Sequence, residues 1–194
     1  MGAPRRQLRP AVFLDRDGVL NRAEVVEGTP HPPGSVDEVK IIASAVDACR
    51  RLREAGYVLV VVTNQPDVAR GTETMEGVGA INGAVGDVIE IDEFVVCPHD
   101  DQDGCACRKP KPGMLTAAAE RRGLDLGRSF MVGDRWRDIE AGRRAGCTTV
   151  FVDRGYTERR PSNPDLVVGE LAEAVPRIVA AHVTEQEGSF TCLS

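Results

Sequence analysis

The chain is poor in aromatic side chains, with five Phe, two Tyr and one Trp among 194 residues. It also lacks a basic excess, its net charge being −6. A nucleic-acid surface needs a cationic stripe interleaved with stacking rings, so a zinc-stabilised nucleic-acid module is disfavoured and no nucleic-acid partner is expected. A local basic patch inside the acidic total stays open. No apolar run approaches the ~20 residues that span a bilayer, and Met1 to Pro10 lacks the hydrophobic centre of a secretory signal. The expectation is a cytoplasmic protein with no membrane partner. Internal repeats, low-complexity linkers and insertions long enough for a second domain are also missing. What remains is an ordinary globular balance, 28% charged and 42% hydrophobic, able to bury a core without disulfides. The expected layout is a lead-in over 1–10, one domain over 11–183 and a patternless, mobile tail over 184–194, in a monomer.

Ala11 to Asn21 organises the chain. Ala11-Val12-Phe13-Leu14 runs into Asp15-Arg16-Asp17-Gly18, so a buried strand ends by delivering two carboxylates to a surface. Alternation along an extended chain lets Asp15 and Asp17 face one pocket while Arg16 points away. Two carboxylates this close repel unless a cation sits between them or one stays protonated.

Strand and helix then alternate. Ala43 to Ala55 carries apolar residues at helical spacing, and Tyr57 to Val62 is a continuous β-branched run ending in Thr63-Asn64-Gln65. Between the first strand and that helix, Pro30, Pro32, Pro33 and Gly34 predict a projecting loop, either over the site or simply solvated. Thr72 to Asp92 reads as a helix weakened by Gly77, Gly79, Gly83 and Gly86. Further strands are predicted at 94–96, 129–132, 148–152 and 166–168, and helices over 113–122, 139–145 and 171–181. This is a three-layer α/β pattern with a Rossmann-like parallel sheet, in which ligands gather at the carboxyl ends of the strands.

Those ends carry chemistry. Asp134 follows Phe130 to Gly133, so a third carboxylate can join Asp15 and Asp17 in an all-oxygen set suited to Mg²⁺; the alternative is that it merely caps the next helix. Asp138 reads as a cap or an orienting group. Thr63 offers a hydroxyl for a phosphoryl oxygen, and Arg108, Lys109 and Lys111 supply cations. The run Cys97-Pro98-His99 to Cys105-Ala106-Cys107 has the spacing C-x-H-x5-C-x-C, a complete tetrahedral set for a structural Zn²⁺. Free thiols or a Cys105–Cys107 disulfide are the competing readings, weakened by the cytoplasmic expectation. Cys49 and Cys147 read as packing residues.

FLDRDGVLN, VVTNQ, CRKPKPG and MVGDRWRD resemble, in order, the four motifs of the haloacid dehalogenase superfamily of phosphotransferases, over about Val12 to Asp153. VVTNQ, ARG, CPH and CACRKPKPG are similar to its small capless group, subfamily IIIA, which acts on heptose 1,7-bisphosphate or histidinol phosphate. The resemblance implies that Asp15 is the nucleophile, forming an aspartyl-phosphate, and that Asp17 is the general acid and base. It implies Mg²⁺ held by the Asp15 and Asp134 carboxylates and the Asp17 carbonyl. Thr63 and Lys109 would steady the phosphoryl group, with Asn64 and Gln65 nearby as further substrate contacts; Arg108 would recognise substrate, and Arg135, beside the metal aspartate, would bind it as well. The implied substrate is a small sugar phosphate, heptose 1,7-bisphosphate first and histidinol phosphate as rival. Pro66-Asp67 and Ala23 to Gly34 depart from the heptose pattern, which touches substrate choice and not chemistry. A signalling domain with a lasting aspartyl-phosphate is disfavoured, because Asp17 would hydrolyse the mark.

Overall fold

The computed structural model describes residues 8–190, with side chains as far as residue 181. The first seven residues of the lead-in and the last four of the tail, including Cys192, lie outside the described residues.

Strand β1 (Ala11–Leu14) is wholly buried and lies at the centre of the fold. Six parallel strands stand in the order β5-β4-β1-β6-β7-β8, with β4 at Val58–Asn64, β5 at Glu93–Cys97, β6 at Phe130–Gly133, β7 at Thr148–Val152 and β8 at Leu166–Val168. Leu14 pairs with Val61 on one side and Val132 on the other. This register sets the carboxyl ends of β1, β4 and β6 side by side, which is how Asp15, Thr63 and Asp134 come together.

Alternation along β1 splits the core in two. Val12 and Leu14 pack with Ala45, Cys49 and Leu52 of helix α1 (Ala43–Glu54) and with Leu171, Val175 and Ile178 of the last helix. Ala11 and Phe13 pack with Met114, Leu115 and Ala118 of a helix at Gly113–Arg122 and with Ala141 of another at Trp136–Ala145. Helices on both faces explain the nearly uninterrupted apolar strands.

Four differences from the sequence reading have local causes. The proline-rich segment folds as a hairpin, β2 (Glu24–Val26) against β3 (Thr29–His31), followed by a single 3₁₀ turn. Glu27 and Gly28 turn it with φ of 51° and 77°, the primed turn that matches strand twist. The segment after β4 begins with one helical turn, α2 (Asp67–Arg70), before α3 (Met75–Gly86). Helix α3 survives its glycines because Val78, Ile81, Asn82 and Val85 bury one stripe and the Thr74 side chain caps Gly77 N–H at 3.0 Å. Helix α4 is Gly113–Arg122, and α5 begins three residues earlier than the apolar pattern, at Trp136. The last helix, α6, runs over Leu171–Phe190, past residue 181 where its pattern fades.

Candidate active site

The floor of the site is a buried charge cluster. Asp15 leaves β1 with its N–H bonded to Val132 O at 2.9 Å, continuing the ladder toward β6. Lys109, 2% exposed, donates to Asp15 Oδ1 at 2.7 Å and to Val62 O at 2.7 Å, and pairs with Asp138 Oδ1 at 2.6 Å. Asp134 Oδ2 accepts from the Tyr156 hydroxyl at 2.8 Å, while Asp134 Oδ1 is buried with no partner. Carboxylate oxygens of Asp15, Asp134 and Asp138 lie within 4.8 Å of one another. Burial pushes Asp15 up to about 6 against the pull of Lys109. Burial, then the charges of Asp15 and Asp138, drive Asp134 well above the ordinary carboxylate range. Burial opposes the charge on Lys109, yet Asp138 and Asp15 together hold its ammonium protonated. One ammonium does not balance three carboxylates. An orphaned buried oxygen in an oxygen-only cluster of excess negative charge fits a hard divalent cation such as Mg²⁺.

Gly18 makes this packing possible. Its φ is +84°, and a Cβ there would lie 1.7 Å from Asp134 Oδ2. Asp138 both caps α5, accepting from Arg135 N–H at 2.9 Å, and holds Lys109.

The other motif residues divide between wall and support. Asp15, Asp17, Thr63, Asn64, Lys109 and Asp134 line a cavity of about 370 Å³, joined by Arg108 and Arg135. Asp17 stands apart from the carboxylate cluster. Its oxygens accept from Arg16 Nε at 3.1 Å and NH2 at 2.9 Å, from Asn21 Nδ2 at 2.9 Å and from Gln65 Nε2 at 3.2 Å. Its side chain is thus not among the clustered oxygens of Asp15, Asp134 and Asp138, and the part expected for it at Mg²⁺ falls to its backbone carbonyl. Gln65 is not in the cavity wall. It is 3% exposed and spends its amide on Thr63 Oγ1 at 2.9 Å and on Asp17, a supporting position in place of the substrate contact expected for it. Asn64 grips the backbone of Lys109 from both sides, donating to its carbonyl at 3.0 Å and accepting from its N–H at 3.1 Å.

The cysteine loop closes around a point. Cys97, Cys105 and Cys107 Sγ atoms are 3.2 to 3.8 Å apart, and His99 Nδ1 is 3.3 Å from Cys107 Sγ and 3.7 Å from Cys97 Sγ. Zn–S bonds of ~2.3 Å in a tetrahedron give edges of about 3.7 Å, so the donor set and its size fit Zn²⁺. The Cys105–Cys107 separation of 3.4 Å is far beyond the ~2.05 Å of a disulfide. Lys111 belongs to this loop and not to the cavity, donating to the carbonyls of Gly104 and Cys105.

The rim is basic and tied down by acids. Arg108 donates to Asp101 Oδ1 at 2.8 Å and to His99 O at 3.1 Å; Arg137 holds both oxygens of Asp101; Arg70 holds both oxygens of Asp100; and Arg135 pairs with Glu158. Thr29, Pro30 and His31 of the hairpin complete the wall, so the proline-rich segment does reach the site. Sequence reasoning missed Arg70, Arg137 and Tyr156. Arg70 lies in the ARG triplet already singled out, and Arg137 two residues beyond Arg135; Tyr156 has no local signal, standing in a loop after β7.

Residues 106–174 match a family model described as HAD-hydrolase-like. A D-glycero-β-D-manno-heptose-1,7-bisphosphate 7-phosphatase from Pseudomonas aeruginosa is 37% identical over 161 residues, 80% of this chain and 88% of its own. Its namesake from Yersinia pestis is 36% identical over 192 residues, covering 89% of this chain and 96% of its own. The crystal structure of D,D-heptose 1,7-bisphosphate phosphatase from B. bronchiseptica, complexed with magnesium and phosphate, matches with a TM-score of 0.71 at 30% identity, over 88% of this chain and 98% of that one. Alike in sequence and fold over most of its length, the chain belongs to the haloacid dehalogenase superfamily, in the family of the heptose-bisphosphate phosphatases, and is a phosphoric monoester hydrolase.

Proposed function

We propose that the protein removes the 7-phosphate of D-glycero-D-manno-heptose 1,7-bisphosphate, or of a closely similar sugar bisphosphate, through an aspartyl-phosphate on Asp15. The observation that carries this is the cavity itself, with Asp15 held by Lys109 on its floor and Arg108, Arg135 and Arg137 on its wall. Asp15 attacks phosphorus as the bond to the sugar oxygen breaks. Asp17 gives that oxygen its proton, then takes one from the water that opens the acyl phosphate and returns Asp15. Lys109 fixes the nucleophile and offsets charge on the phosphoryl oxygens, and Thr63 adds its hydroxyl. Asp15, Asp134 and the Asp17 carbonyl would hold Mg²⁺, which when bound supplies positive charge opposite the phosphoryl group.

Cys97, His99, Cys105 and Cys107 form in this reading a structural Zn²⁺ site, closed to substrate because protein supplies all four ligands. A set of reduced thiols sharing a metal accords with a cytoplasmic location; among the described residues no helix is long and apolar enough to cross a membrane. The distal phosphate of a bisphosphate suits the planar guanidinium groups of the rim. The amine of histidinol phosphate would be repelled there. The test is a panel of phosphate esters with Mg²⁺. The highest kcat/KM is expected on the heptose bisphosphate, and a preference for histidinol phosphate over every sugar bisphosphate would overturn the substrate while sparing the mechanism.

A further inference from the structure

We infer that Arg16 is a positioning residue for Asp17, anchored from helix α3 by Asn82, so that α3 sets the aim of the proton-transferring carboxylate. The inference rests on the reading of Asp17 as general acid and base. Arg16 is the largest wholly buried side chain of the described residues, at 0% exposure, and it is not part of the cavity wall. Burying a guanidinium is costly unless its charge and donors are matched. Here the match is specific. Nε and NH2 grip the two oxygens of Asp17, and NH1 donates to Asn82 Oδ1 at 2.8 Å.

A forked grip on a neighbour in sequence would by itself move with that neighbour. Asn82 supplies the fixed point, 66 residues away and 6% exposed, on the α3 stripe packed into the fold with Val78, Ile81 and Val85. The guanidinium then acts as a rigid strut between α3 and Asp17, a part that needs a planar fork and that lysine does not supply. Asn21 and Gln65 hold the same carboxylate from other directions, so its orientation is over-determined. Arg16 touches no reacting atom; it works only through Asp17.

Leaving-group chemistry tests this. An alkoxide needs a proton as it departs, whereas nitrophenolate leaves without one, and kcat/KM reports the step in which the leaving group goes. Asn82→Ala should lower kcat/KM on a glycerol phosphate by roughly ten- to a hundredfold and on p-nitrophenyl phosphate by less than about threefold, part of the general-acid contribution being lost. Arg16→Met should give the same split, deeper; if it does not fold, Asn82→Ala decides. Asn82→Asp keeps an acceptor for NH1 and should restore the parental ratio of the two esters. Equal losses on both esters, or none, would overturn the inference. Asp17→Asn is run alongside. If it shows the split and Asn82→Ala does not, only the strut falls; if Asp17→Asn itself shows no split, the role of Asp17 and the strut fall together.

Discussion

Gly18→Ala perturbs the surroundings of Asp134 without altering a carboxylate. At φ +84° an L-residue costs roughly 1–2 kcal/mol relative to glycine. The added Cβ would stand 1.7 Å from Asp134 Oδ2 and 2.6 Å from its Cγ, where ordinary contact begins at 3.4 Å. Either the carboxylate or the Asp17-Gly18 backbone must therefore shift by well over an ångström. A shift of that size takes Asp134 off Tyr156 and forfeits a buried charge-assisted hydrogen bond of ~1.5–3 kcal/mol. With the backbone strain this is about 2.5–5 kcal/mol, or roughly 5–20 °C in Tm at ~2–4 °C per kcal/mol for a chain of this size. The more specific readout is the metal. Mg²⁺ titration of phosphatase activity should show half-saturation raised by about ten- to a hundredfold, the usual cost of disturbing a ligand's surroundings. Asp134→Asn should move it in the same direction. A Gly18→Ala protein that melts lower yet titrates with Mg²⁺ within about twofold of the parent would refute the reasoning that Asp134 is a metal ligand.

Arg108→Ala should cut kcat/KM on the bisphosphate by roughly ten- to a hundredfold, one charge-assisted contact of ~1.5–3 kcal/mol, and on a simple monophosphate much less; parallel losses would count against a distal-phosphate role. One zinc per chain is expected by elemental analysis, and a chelator should remove activity that Mg²⁺ alone restores only while zinc is retained. A zinc-free protein with all four ligands reduced would end that reading. Burial would raise Glu93, but Arg121 and Arg122 outweigh it and hold the carboxyl below its usual 4.5. Its folded pKa being depressed, the pair stabilises above that value and the gain is lost as pH falls through the lower one. Glu93→Gln should therefore melt below the parent at neutral pH, with the gap closing as the carboxylate is titrated in acid; a gap independent of pH would show that packing alone is lost.

The sequence made legible those features that burial on both faces and fixed spacing dictate. Val58 to Val62 and Phe130 to Val132 had to be central strands, and Thr63 and Asp134 at their ends had to meet Asp15, because parallel ladders in register leave no other place for them. The cysteine loop was readable because three thiols and an imidazole between Cys97 and Cys107 can close on one point without help from the rest of the fold. Side-chain direction was not readable. Arg16 lies opposite Asp15 by alternation, yet a cation buried there has meaning only once Asn82 arrives from another helix. Gln65 stands at the strand end like Thr63, but turns inward because Asp17 and Thr63 offer it acceptors. Tyr156 is set against Asp134 by the path of a loop that no periodicity encodes. The Glu27-Gly28 turn was hidden by a non-glycine residue at positive φ.

The central place of β1 also governs the order in which the protein can be completed. Its partner β4 lies 47 residues later in register, Leu14 against Val61, and the Ala11 N–H waits for Ser129 Oγ, 118 residues away. During synthesis β1 therefore keeps one wholly apolar edge unpaired until β6 has been made. Long-range parallel pairing is slow and leaves such edges exposed to other chains. Asp15 is made before β6, but the pocket around it forms only when β6 inserts beside it.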